Sequence, residues 1–210
     1  MRLTTVLAAC LTTAALGLSL GGAPAHAESR TVTDPAGDVR SFSLSEDDEW
    51  EETPEDEASD TPDGDIVSAT YLHTQRRMAL SISYADLPRS DAFRTWTFLL
   101  QGRNGQQRIL QAYTGMGSGL PIEMNRLSNG RRVCRGEIKR HIFYGAKRMD
   151  ISFPRYCLGA PLAFRVAHVG VRLEFDDRTE DARVYYDDAQ RAGGSVDQVF
   201  TRFSPWVRRN

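Results

Sequence analysis

Lysine is nearly missing from this chain: Lys139 and Lys147 are the only two, and arginine supplies almost all the base. Cysteine is scarce, with three residues, Cys10, Cys134 and Cys157, and no CxxC pair among them. Histidine is equally sparse, and His73, His141 and His168 stand far apart in the sequence. Local catalytic signatures are absent: there is no HExxH, no P-loop and no EF-hand loop. The glycine-rich stretch from Gly115 to Gly119 fails GxSxG because its serine is at the wrong offset. It fails GxGxxG because Leu120 stands where the third glycine belongs. It reads as a flexible loop between strands. No long segment of helical period exists, which argues against helical bundles and α/β folds. After the N-terminal region, no run reaches the roughly 20 apolar residues that a membrane span needs.

What the N-terminus does have is an export pattern. Arg2 supplies a positive start, Val6 to Leu20 is an uncharged apolar stretch, and Gly21, Gly22 and Pro24 end it. Ala25-His26-Ala27 then fits a small-x-small cleavage site, with cutting expected after Ala27. A transmembrane anchor would need a longer run, and a lipoprotein reading at Cys10 leaves almost no hydrophobic region ahead of that cysteine. The expected organisation is therefore a signal peptide over 1–27 and one domain over 28–210, secreted to the extracellular space. No membrane attachment is expected after cleavage, and the mature protein is expected to be a monomer.

Export changes the meaning of the cysteines. Cys10 leaves with the leader, and Cys134 and Cys157 remain in an oxidising compartment. A metal pair or a reactive thiol is the functional alternative, but no histidine sits beside either at ligand spacing. The expectation is a disulfide joining the strand near Val133 to the segment after Pro154.

Charge is unevenly spread. Glu46 to Asp65 holds twelve acids and no base, while the whole chain carries a net charge of only −2. Such a block repels itself and buries no apolar surface, so 44–64 is expected to be a disordered acidic loop. The basic remainder invites a nucleic-acid reading. A secreted chain of pI near 6.1 with its own acidic block suits it poorly. An extracellular polysaccharide or cell-wall polymer is the more natural partner.

The mature chain alternates with the period of β-structure. Asp65 to Leu72 and Arg77 to Tyr84 make a hairpin, with Met78, Leu80, Ile82 and Tyr84 on one face. Arg94 to Leu100 and Gln106 to Tyr113 flank a Gly102-Arg103-Asn104-Gly105 turn. Asn129-Gly130 signals another hairpin, and strands are expected around 142–144, 149–153, 164–175 and 184–186. Short helical turns are expected near 154–158 and 187–193. Recurring short strands with turn chemistry between them predict an all-β, antiparallel, jelly-roll-like β-sandwich.

Two chemistries deserve residues. Asp34-Pro35-Ala36-Gly37-Asp38 is a turn with two carboxylates, and Asp63-Gly64-Asp65 is a second. Further acids fall at Asp176-Asp177, Asp181 and Asp187-Asp188. Calcium takes six to eight oxygens and accepts such turns. If the sandwich joins the first two, Asp34, Asp38, Asp63 and Asp65 share a structural calcium; the plain alternative is that Asp, Pro and Gly merely form turns. Aromatics suited to stacking on a sugar are Trp50, Tyr113 and Trp206, of which Tyr113 and Trp206 are the candidates retained. A hydrolase would instead need two carboxyl groups across a cleft, such as Glu123 with Glu137 or Glu174 with Asp176. The histidines read as strand residues with satisfied rings, and no catalytic residue is assigned.

The order of segments resembles a group of secreted proteins of actinobacterial type. The likeness rests on DPAGD at Asp34–Asp38, DGDIVSATYLHTQRRMALSISYADL at Asp63–Leu87, MDISFPRYCLGAP at Met149–Pro161 and VYYDDAQ at Val184–Gln190. It implies the β fold and the disulfide, and it brings no activity. At fold level alone, a DPxGD turn before a sandwich hairpin is similar to family-9 carbohydrate-binding and DOMON domains. The expected function is a non-catalytic extracellular binding module for carbohydrate or cell-wall polymer, with a secreted hydrolase using paired carboxylates as the alternative.

Overall fold

Alternation in the sequence becomes alternation in burial. Along β5 (Arg77–Tyr84) every second residue is buried, and the same holds in β6 (Phe93–Gly102) and β11 (Arg148–Pro154). A strand that points apolar side chains one way must cover that face, and here two sheets cover each other. The computed structural model describes residues 27–44, 57–90, 92–115, 122–175, 182–190 and 202–209. The leader expected over 1–27 lies outside them, except Ala27. So do 45–56 of the acidic insert and most of the glycine-rich loop after Gly115.

The first sheet has five strands in the order β1 (Glu28–Thr33), β4 (Ile66–His73), β5, β11 and β10 (Lys139–Phe143). The second runs β3 (Glu57–Ala58), β2 (Arg40–Leu44), β13 (Ala182–Asp188), β12 (Ala163–Phe175), β6, β7 (Gln107–Thr114), β8 (Glu123–Arg126) and β9 (Arg132–Val133). A last short strand, β14 (Val207–Arg208), pairs with the start of β12. All the strand pairs described are antiparallel. The protein is an all-β sandwich, and no helix among the described residues is long and apolar enough to cross a membrane. The helical turn expected near 154–158 is a single 3-10 turn, Arg155–Leu158.

The core lies between the sheets. Met78, Leu80, Ile82, Met149, Ile151 and Phe153 from one side meet Phe98, Leu100, Leu110, Phe164 and Val166 from the other. Each fully buried side chain of this size contributes about 1.5–3 kcal/mol. The expected hairpins are present, with the Ile66–Ser68 bulge shifting the first one locally. The pairing of β8 with β9 gives the Asn129-Gly130 hairpin shorter arms than expected. Strands β1, β2 and β3 carry no clear alternation of apolar residues, and β3 falls inside the segment expected to be acidic loop. It is placed because Arg40 and Ser41 of β2 pair with it.

Cys134 and Cys157 form the expected disulfide, with Cα atoms 5.7 Å apart. It ties the end of edge strand β9 to the 3-10 turn between β11 and β12.

Candidate functional site

Where the chain crosses from one sheet to the other, acids gather. Asp34 follows β1 of the first sheet, and Asp38 comes just before β2 of the second. Gly37 between them adopts a φ of +84°, which reverses the chain tightly and suits glycine. Its N–H donates to Asp65 Oδ2 at 2.9 Å, and Asp65 immediately precedes β4. From the second sheet, Asp187 near the end of β13 accepts the N–H of Ile66 on its Oδ2 at 2.5 Å. One carboxylate oxygen each from Asp34, Asp38 and Asp187 lies within 4.8 Å of the others.

The electrostatics of this cluster are unusual. Asp34 is only 7% exposed, and neither of its carboxylate oxygens has a hydrogen-bond partner among the described residues. Burial, then Asp187, Asp38, Asp188 and Asp65, push its pKa up to about 9. Burial, with Asp38 and Asp65, pushes Asp187 up to about 8, against the lowering effect of the Ile66 N–H. Asp65 is raised by its own burial and partly relieved by Gly37. Every charge acting on Asp34 in this balance is another carboxylate.

Asp63 goes elsewhere. Arg94 and Arg172 sit directly opposite each other on β6 and β12, and like charges in that position repel. Asp63 Oδ2 accepts from Arg94 at 2.7 Å and also from Arg172, so one carboxylate bridges the two and offsets part of their charge, and Glu174 lies 3.3 Å from Arg172 as well. The four-aspartate set expected from the sequence thus divides. Asp34 and Asp38 cluster, Asp65 braces their turn, and Asp63 serves two buried arginines. The third carboxylate of the cluster is Asp187. Its only sequence signal is the Asp187-Asp188 doublet, and nothing local ties that doublet to a turn about 150 residues earlier.

A second feature lies on the solvent face of the five-stranded sheet. A groove of about 480 Å³ runs over β4, β5, β10 and β11, a size in the range of small-ligand sites. Hydroxyls of Thr70, Ser81 and Ser152 line it together with Lys139, His141 and Arg148. Asp150 is the only carboxylate among its lining residues. Ser81 Oγ donates to Asp150 at 2.7 Å and Arg148 pairs with it at 3.1 Å, so that acid is already engaged. The Arg148 guanidinium also covers the Phe143 ring at 4.8 Å, and Phe143 is partly exposed beside it.

The other candidates lie apart from this groove. Tyr113 stacks beside Phe93 at 6.3 Å on the second sheet. Arg165 and Arg103 lie over the Trp206 ring, at 4.9 and 5.9 Å. Glu123 pairs with Arg132, Glu174 with Arg172, and Glu137 accepts from the Tyr156 hydroxyl. Trp50 and Asp176 lie outside the described residues. His168 departs from the satisfied ring expected of it: it stacks on Phe98 at 4.2 Å, and neither ring nitrogen has a hydrogen-bond partner among the described residues. No family model matches the chain, and no curated protein matches it significantly.

Proposed function

We propose that this chain is an exported, non-catalytic module that binds an extracellular carbohydrate or cell-wall polymer, with calcium as a structural ion. The observation that carries the reading is the groove on the five-stranded sheet. Its hydroxyls suit a hydrated, hydroxyl-rich ligand, and Lys139 and Arg148 favour one that carries negative charge. A glycosidase needs two carboxyl groups flanking the scissile bond. The groove supplies Asp150 alone, which leaves the hydrolase reading with less support. Export draws support from the charged start, apolar stretch and Ala25-His26-Ala27 pattern, and from a disulfide that suits an oxidising compartment.

The test is a pull-down of the mature chain, Glu28 to Asn210, on insoluble polysaccharides and purified cell wall. Retention should fall several-fold with added salt, and again in a Lys139→Ala/Arg148→Ala variant that keeps the wild-type circular dichroism. Failure to bind every polymer in a broad panel, or retention indifferent to both charges, removes the reading.

A further inference from the structure

We propose that Asp34, Asp38 and Asp187 hold one calcium ion, which clasps the two sheets where the chain crosses between them. This assignment rests on the structural calcium of the reading above and gives it a site; the polymer half of that reading is independent of it, since the groove and the acidic cluster share no residue.

Three observations point to a cation. First, one oxygen from each of three carboxylates converges within 4.8 Å, although like charges repel unless something neutralises them. Second, Asp34 is more than nine-tenths buried and has two oxygens without a partner among the described residues. A buried carboxylate with no donor, cation or proton is expensive. Third, the surrounding structure holds the arrangement in place. The N–H of Asp34 donates to Val67 O at 3.1 Å, Gly37 is fastened to Asp65, and Asp187 is fastened to Ile66. These bonds hold the backbone and the flanking acids and leave the Asp34 carboxylate oxygens without a partner.

The donor set selects the kind of ion. All three side chains are carboxylates, with no imidazole and no thiolate, which suits a hard cation rather than zinc or copper. Calcium tolerates irregular oxygen shells of six to eight ligands on turns, while magnesium demands near-octahedral geometry. Two ligands come from one short turn and the third from a distant strand, an arrangement better suited to calcium.

The mature chain is stripped with EDTA and then dialysed against millimolar calcium or magnesium. Bound metal is measured by atomic emission and the melting temperature by scanning fluorimetry. One calcium per chain should bind. At a hundred-fold excess over Kd the melting temperature should rise by about 5–10 °C. Asp34→Asn should abolish binding and the rise. It should also melt no lower than the stripped wild type, because an amide at this position needs neither a cation nor a proton to be buried beside the other acids. Asp38→Asn, on the turn, provides a second variant should the first fail to fold. No bound calcium, a preference for magnesium, or full binding by a folded Asp34→Asn chain each overturns the assignment. A proton shared within the cluster would give the first of these results. Polymer retention by a wild-type chain that binds no calcium would leave the groove reading standing while the ion site fell.

Discussion

His168 shows what a single buried residue does to the whole. Its ring lies flat on Phe98, and burial alone pushes its pKa down to about 3. The unfolded chain binds that proton near pH 6.5. Between those two values the unfolded state is protonated and the native state is not, so stability falls as pH drops from about 6.5 toward 3. The slope from this one group is at most about 1.4 kcal/mol per pH unit. His168→Phe keeps an aromatic on Phe98 and removes the proton. Urea midpoints measured from pH 7 to 4 should decline less steeply for the variant; parallel curves would show that His168 carries no such effect. This burden was not legible in the sequence. A histidine in a strand looks the same whether its ring meets water, a carbonyl or a phenyl ring. His73 illustrates the contrast: its Nδ1 lies 3.3 Å from Val207 O, a contact made across the fold.

At the scale of elements, legibility follows the strength of the periodic signal. The alternation of Met78, Leu80, Ile82 and Tyr84 marks β5 because each has a buried place to go. Strands β1 and β2 lie toward the edges of their sheets with mixed polar sequences, so their pairing rather than their composition makes them strands. The 2-residue β9 is as short as β3 and β14, and the disulfide beside it compensates. Closing a loop with a sequence separation of 23 is worth about 3 kcal/mol in the chain-entropy model. Cys134→Ser should therefore lower stability by about 3 kcal/mol, and adding Cys157→Ser should cost little more because the same bond is already gone. Urea unfolding of both variants, with reduced wild type as control, measures it.

The whole molecule depends on pieces distant in sequence. The 202–209 segment runs along the edge of β12 that β13 leaves free. Ser204 Oγ accepts from Val166 N at 3.0 Å, and Val207 is fully buried. The same segment reaches the other sheet, where Arg208 N donates to Glu28 Oε2 at 2.8 Å. Truncation before Arg202 uncovers the edge of a central strand and loses about 1.5–3 kcal/mol from Val207 alone. The shortened chain should melt earlier and associate on size-exclusion chromatography. A monomer with the wild-type melting temperature would contradict this role for the strap.

What the sequence determined by itself is whatever local chemistry dictates. Period-2 alternation made most of the strands, Asn129-Gly130 and the Gly102–Gly105 stretch made turns, and Cys134 and Cys157 made one bridge. The acidic turn at Asp34–Asp38 was visible for the same reason. Only the tertiary structure decided which carboxylate would complete the cluster. Asp63 is close to Asp65 in the chain, yet cross-strand repulsion between Arg94 and Arg172 claims it. Asp187 is about 150 residues from Asp34, yet β13 lies beside β2 in the second sheet and brings it in. Sheet order sets such distances, and it follows from the packing of all the strands together rather than from any one of them.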